Sequence, residues 1–277
     1  MTLVTSKPKE IFGYEVVSLL HESPKGKLYA VCEPNSAQLR LLKHVVRKTE
    51  ADLQLIDRLR AEFELQKSLR SQVLRRSLDL KINKKLIGGI TEAALVMHLV
   101  DGDALESLPM MPPLRVMEIF TELARGIASL HNQRLIHTDI NPHHIMICND
   151  GQVRLIDFGS VGRLNTLIPQ PYPIHDFYGP EVARKKPLLP QTDIYSFGAS
   201  MYWALTGKRI PNVKELHQGD WDRLQDDTEI PSPFALNPAI PEPLSKLTMW
   251  CCKLALGSRP KDMETVIAGF EKIRGKI

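Results

Sequence analysis

The apolar residues of this chain change their period near residue 100, and that change limits what the chain can fold into. Before it, GYEVVSLL, KLYAVCE and AQLRLLKHVV are short β-branched or apolar runs separated by Pro, Gly, Ser and Asn, which suits antiparallel strands. KTEADLQLIDRLRAEFELQKSLRSQVLRR follows, with Leu53, Ile56, Leu59, Phe63 and Leu69 near helical spacing, and predicts one long amphipathic helix. The charges of LRSQVLRRSLDLKINKKL read as the solvated side of that helix and its exit loop. ALVMHLV (94–100) is a further strand, closed by an expected turn at Asp101-Gly102-Asp103.

Beyond that turn the period is helical. PLRVMEIFTELARGIASLHNQ puts Val116, Ile119, Phe120, Leu123, Ile127 and Leu130 on one face and starts at Pro112-Pro113. TDIYSFGASMYWALTG is apolar nearly all round, as a helix at the centre of a lobe must be. DWDRLQ, PLSKLTMWCCKLAL and KDMETVIAGFEKI complete a mostly helical half. The pattern predicts an α+β protein: a small antiparallel β lobe with one helix, a join near 98–103 and a larger helical lobe. Clefts between such lobes are common ligand sites.

With 277 residues, 43% hydrophobic and 25% charged, the chain has ample material for a soluble core. Its net charge of +4 comes without a long Lys/Arg stripe, so no nucleic-acid partner is expected. No run approaches the length of a membrane span and no apolar signal segment leads the chain, so the expectation is a cytoplasmic protein without a membrane partner. Cys32, Cys148, Cys251 and Cys252 lack metal-ligand spacing and read as reduced, buried thiols.

Residues 135–159, LIHTDINPHHIMICNDGQVRLIDFG, hold two acids 18 positions apart, Asp139 and Asp157. Phosphoryl transfer needs a divalent ion to screen the phosphates, a carboxylate to hold it and a second carboxylate to orient the nucleophile. Asp157 ends the apolar strand VRLI, where Gly159 permits a sharp turn, and Asp139 sits in the loop after the long helix. Either acid alone reads as a turn or cap residue; their joint spacing points to phosphate chemistry.

These stretches resemble the eukaryotic-type protein kinase family, including its bacterial serine/threonine members, over residues about 13–275. HTDINPHHIM is similar to the His-Arg-Asp catalytic loop and IDFG to the Asp-Phe-Gly motif. LRLLK places Lys43 at the phosphate-gripping strand lysine, and RAEFELQKSL, with Leu65 and Leu69 behind it, places Glu62 at the helix glutamate that pairs with that lysine. YGPEV supplies Glu181 for the Ala-Pro-Glu motif, with Gly179 in place of alanine. TDIYSFGASMYWALTGKRIP, with Asp193 and Gly198, is similar to the buried central helix, and Arg259 in GSRP to the arginine that pairs with the motif glutamate.

The resemblance implies one bilobal protein-kinase-like domain over 1–277, with an N-lobe of about 13–98 and a C-lobe of 99–275. It implies ATP and Mg2+, and an unidentified protein as acceptor or partner. Lys43 would position the phosphates, Glu62 orient Lys43, Asp157 hold metal and Asp139 orient the acceptor hydroxyl. Met97 would be the gatekeeper and His98 to Val100 the hinge that meets adenine, with Leu28, Leu41 and Met146 as apolar walls. By residue type alone, these last read as ordinary core.

Several positions depart from the family pattern. LLHESPKGKLY keeps only Gly26 of the three phosphate-loop glycines, with His21 and Ser23 at the other two. Residues 21–27 are thus either a thinned phosphate loop, helped by Lys25 and Lys27, or a plain β-turn. Asn141 replaces the lysine that screens the γ-phosphate, and His144 replaces the asparagine that helps hold magnesium. Imidazole suits softer first-row metals, so His144 is either a ligand in a site shifted towards Mn2+ or a filler that hydrogen-bonds Asp139 or Asp157. Thr138 stands where many kinases carry a phosphate-reading arginine, so control through the activation segment is not expected despite Ser160, Thr166, Tyr172 and Tyr178 within it. Ile174 takes the place of a threonine that steadies the catalytic acid.

Two functions follow: an ATP-dependent serine/threonine protein kinase with atypical metal and phosphate contacts, or a pseudokinase that keeps the fold to bind nucleotide or a partner. A small-molecule kinase of the aminoglycoside type shares the His-x-Asp start, but TDIYSFGASMYWALTG and GSRP argue against it.

Overall fold

The computed structural model describes residues 8–67, 69–167, 176–210 and 230–276. It divides into two compact units, Met1–Leu69 with Arg75–Val100, and Arg70–Leu74 with Asp101–Ile277. DWDRLQ, Tyr172 and Ile174 lie outside the described residues.

The first unit is one antiparallel sheet of β1 (Glu10–Ile11), β2 (Tyr14–Ser23), β3 (Gly26–Cys32), β4 (Leu39–Val46), β5 (Ser77–Lys85) and β6 (Gly89–His98), ordered β1-β2-β3-β4-β6-β5. Strand alternation sends Leu41, Val45, Leu95 and Met97 to one face and Leu42, Ala94 and Val96 to the other. The first set packs on Ile56 and Leu59 of α1 (Ala51–Lys67). The second closes a core with Tyr14, Val16, Tyr29 and Val31. This is why ALVM is apolar at every position: both faces of β6 are covered.

The expected long helix is shorter than its pattern. It ends at Lys67, so Leu69, although buried, is not on it. Residues 77–85, expected as a solvated helix face and loop, form strand β5, whose Leu80 and Ile82 join the core beside α1. SLDLKIN alternates with period two; the cluster of cations around it masks a strand that pairs with β6 from Ser77↔Met97 to Lys85↔Gly89.

In the second unit, α2 (Pro113–His131) packs on α4 (Pro190–Thr206) and on α7 (Met263–Arg274), and α4 packs on α6 (Glu242–Cys251). The short helices α3 (Pro180–Ala183) and α5 (Pro233–Leu236) lie between them in sequence. Helix α4 is buried along nearly its whole length, including Thr192, Asp193, Ser196 and Ser200, as its all-round apolar pattern predicts. Gly198 faces α6 closely: a Cβ there would stand 2.5 Å from Cys251 Cβ.

The expected turn at Asp101-Gly102-Asp103 is instead the start of β7 (Gly102–Ala104). It pairs with β9 (Ile145–Cys148), which pairs with β10 (Val153–Leu155). Gly102 is required because the Ile147 carbonyl passes where its side chain would be. A third pairing joins β8 (Leu135–Ile136) to β11 (Gly162–Arg163). All four cysteines are free; Cys251 and Cys252 are buried, while Cys32 and Cys148 are half-buried rather than buried as expected. No described helix is long and apolar enough to cross a membrane.

Candidate active site

Each unit brings together its own set of predicted residues. In the first, Lys43 on β4 reaches Glu62 on α1, with Nζ 3.5 Å from Oε2. The buried stripe of α1 runs Ile56, Leu59, Glu62, Gln66, so a carboxylate occupies a position whose neighbours are core. Glu62 is 3% exposed, and neither of its oxygens accepts a hydrogen bond among the described residues. A carboxylate out of water is costly without a counter-charge, so the lysine and the glutamate hold each other in place. Leu28, Leu41 and Met97 share the adjoining core cluster, Met97 fully buried. His98 ends β6, half-buried, and burial followed by the nearby Arg40 and Arg76 charges lowers its pKa. Val100 is half-buried.

The stretch 21–27 folds as the tight end of the β2–β3 hairpin. Ser23 pairs with Gly26, and the Lys25 N–H donates to Ser23 Oγ at 3.2 Å. Gly26 has φ +129°, and a Cβ there would stand 2.7 Å from the His44 carbonyl oxygen. The one retained glycine is therefore demanded by the backbone of β4, whatever else approaches it. Lys27 is held by Glu22 at 2.9 Å across the hairpin.

In the second unit, Asp139 and Asp157 lie on either side of His144. The Nδ1 of His144 is 3.6 Å from Asp139 Oδ2, and its Nε2 is 3.8 Å from Asp157 Oδ2. The His143 N–H donates to Asn141 Oδ1 at 3.0 Å, which turns the Asn141 amide NH2 towards Asp139, 2.9 Å from Oδ1. His144 Nδ1 lies 2.9 Å from the Asp139 backbone carbonyl oxygen and 3.0 Å from the Asn141 amide nitrogen, donating to the first in one tautomer and accepting from the second in the other. Asn141, read from sequence as a lost γ-phosphate lysine, and His144, read as a metal ligand or a hydrogen-bonding filler, thus both lie against Asp139. The signal was present in the Asp-x-Asn spacing, because a short amide two residues on can fold back onto a preceding carboxylate.

Asp157 has φ +62°, a region its short side chain tolerates, and its Oδ1 accepts the Gly159 N–H at 3.1 Å. Its side chain is 41% exposed. Magnesium commonly takes one or two protein carboxylates and completes its shell with water and phosphate oxygens, so the Asp157 carboxylate fits such an ion. The imidazole of His144 does not. Among the described residues no group of three or more His, Cys, Asp or Glu side chains forms a ready metal cluster. Met146, half-buried on β9, lies opposite Arg154 and Ala104 in the small sheet.

Around these acids the backbone is tied to α4. Asp193 accepts the His137 N–H and the Thr138 N–H, each at 2.8 Å, and its Oδ2 lies 2.8 Å from His131 Nε2. Thr138 has φ +69°, an outlier for a β-branched residue, and its hydroxyl donates to the Ser160 carbonyl at 2.8 Å. The position that carries a phosphate-reading arginine in many kinases here clasps the segment after Phe158 directly. The Phe158 ring packs edge-on against His137, with centroids 5.2 Å apart.

Burial pushes the His137 imidazole below its ordinary value of 6.5, against opposing pulls from Asp193 and Asp139. Between those two values the unfolded chain binds the proton and the folded chain does not, so stability rises with pH. The contribution is present above about pH 6.5 and is lost as pH falls through the lower, folded value. Thermal melts from pH 7.5 to 5 are expected to show that acid limb, reduced in His137→Phe, which keeps a ring against Phe158. An unchanged limb in the variant would place the loss on other groups.

A family model described as a protein kinase domain matches residues 14–268. The chain belongs to the protein kinase family. Its fold is the bilobal α+β fold of that family, whose members generally use ATP and Mg2+. The serine/threonine-protein kinase pkn2 of Myxococcus xanthus is 32% identical over 136 residues, 43% of this chain and 16% of the relative. The serine/threonine-protein kinase PknL of Mycobacterium tuberculosis is 27% identical over 185 residues, covering 64% of this chain and 45% of that protein. The serine/threonine-protein kinase TIO of Arabidopsis thaliana is 26% identical over 201 residues, 70% of this chain and 15% of its own. This kinase chain therefore spans less than half the length of these relatives.

Proposed function

We propose that the chain is an ATP-dependent serine/threonine protein kinase that transfers the γ-phosphate to a protein hydroxyl, with atypical metal and phosphate contacts. The reading takes residues 1–277 as one kinase domain, with lobes at about 13–98 and 99–275. What carries it is the placing of two acids, 18 positions apart in sequence, within 4 Å of one imidazole ring. Asp139 is assigned to orient the acceptor hydroxyl and take its proton on a carboxylate oxygen. Asp157 is assigned to hold Mg2+, which when bound screens the charge of the phosphates. Lys43 is assigned to the phosphates and Glu62 to holding Lys43. Leu28, Leu41, Met97, His98, Val100 and Met146 are assigned to the adenine. The 3.5 Å Lys43–Glu62 pair supports the phosphate assignment.

A pseudokinase is the second reading. It is favoured by the Asn141 amide, which occupies one of the two Asp139 carboxylate oxygens. Transfer of labelled γ-phosphate from ATP to the protein itself and to generic acceptors separates the two, run with Mg2+ and with Mn2+. Transfer is expected, with Mn2+ supporting it better than Mg2+. His144→Asn, which supplies an oxygen ligand, is expected to raise the Mg2+ rate on the order of tenfold. Transfer with neither ion, in wild type and in His144→Asn, would leave the pseudokinase.

A further inference from the structure

Helix α3 ends in three successive cations, Arg184, Lys185 and Lys186, and none of them has an ion-pair partner among the described residues. Beside them lies a cavity of about 410 Å³, within the range of small-ligand and peptide-side-chain pockets. Its apolar lining includes Leu189, Leu254 and Leu256, and Arg184 and Lys186 also line it. The acid in the lining, Glu181, is bound on both oxygens by Arg259 and leaves no charge for its neighbours. The Arg184 Nε is buried and donates to nothing among the described residues. A buried donor without an acceptor is unusual in a folded protein and marks a place where one is missing.

We propose that this cavity is a docking site for an acidic peptide segment of a partner protein. An apolar side chain of the segment fills the leucine-lined cavity, and carboxylates on the residues beside it meet Arg184 and Lys186. The chemistry discriminates among occupants. An apolar floor under a cationic rim rejects a basic or purely polar peptide, since either leaves charge or carbon surface uncompensated. Three successive cations call for more than one anion, which a run of Glu or Asp supplies and a single-headed fatty acid does not. The proposal does not depend on phosphoryl transfer: no residue assigned to that reaction lines the cavity.

The test is fluorescence anisotropy with three labelled nonapeptides of alternating Glu and Leu, Glu and Ser, and Lys and Leu, each titrated with the full chain. The Glu–Leu peptide is expected to bind at least tenfold more tightly than the other two. Arg184→Gln with Lys186→Gln is expected to weaken it about tenfold, and Leu256→Ser severalfold, with melting temperatures unchanged for the first pair because those side chains make no ion pair among the described residues. Equal binding of all three peptides, or binding that the Arg184/Lys186 pair does not alter, would overturn the assignment. Displacement of the peptide by octanoate at equal concentration would also overturn it, in favour of a small amphiphile.

Discussion

Asp139→Ala is expected to lower phosphoryl transfer by about 10²- to 10⁴-fold, the range for removing a positioned general base. Asp139 is not a freely rotating side chain. The Asn141 amide holds its Oδ1 at 2.9 Å, while His144 Nδ1 lies 3.6 Å from Oδ2 and 2.9 Å from its backbone carbonyl oxygen. Alanine removes the carboxylate that the Asn141 amide donates to and keeps the backbone carbonyl, and Asp139 is part of a loop held through Thr138 and Asp193, so the fold should survive. Asp157→Ala is expected to cost at least as much, because it deletes the carboxylate assigned to the metal together with the acceptor of the Gly159 N–H. Both variants are to be assayed beside wild type with labelled ATP and checked by thermal melting. Transfer that persists at the wild-type rate in either folded variant would refute the assigned roles.

The second large effect concerns stability and is independent of catalysis. Arg259 uses all five of its N–H donors: two on Glu181 at 2.8 and 3.0 Å, and the others on the carbonyls of Lys253, Gln191 and Leu254. Its guanidinium also lies over the Tyr195 ring, and both partners of the ion pair are buried. Arg259→Leu leaves the buried Glu181 carboxylate without the fork that holds it and takes one donor from each of three carbonyls. Breaking a buried pair from one side costs about 3–5 kcal/mol. For a chain of this size that corresponds to a fall in melting temperature of order 10 °C. Arg259→Lys keeps the charge but has three donors on one nitrogen instead of a fork, and should recover only part. A drop of less than about 3 °C for the leucine variant would mean that solvent reaches the pair.

The same pair explains a departure visible in the sequence. Gly179 replaces the alanine of the family motif, and a Cβ at that position would stand 2.5 Å from Glu181 Oε1. With Glu181 turned to face Arg259, there is no room for the methyl group. The exchange of alanine for glycine was legible as a substitution, but its cause was not, because it depends on a contact with a residue 78 positions away.

What could be read from sequence were features whose chemistry restricts the residue itself. The acids Asp139 and Asp157 and the apolar helix TDIYSFGASMYWALTG follow from residue type, spacing and period, and the Lys43–Glu62 pair from the resemblance to the kinase family. The features misread were those in which one residue type serves several structures. A cation-rich stretch can cover a helix or a strand, so residues 77–85 passed for a helix exit until β6 was seen to pair with them. A glycine can mark a turn or a close approach, so Gly102 passed for a turn until β9 was seen beside it. An imidazole can bind metal or hydrogen-bond, and only the folded chain puts His144 Nδ1 within reach of both the Asp139 carbonyl and the Asn141 amide. Local pattern determined which elements form and which residues carry charge among them. The tertiary structure alone decided where each helix stops, which glycine is compulsory and which way each ring and amide faces, because those depend on atoms that the chain brings close from far along its length.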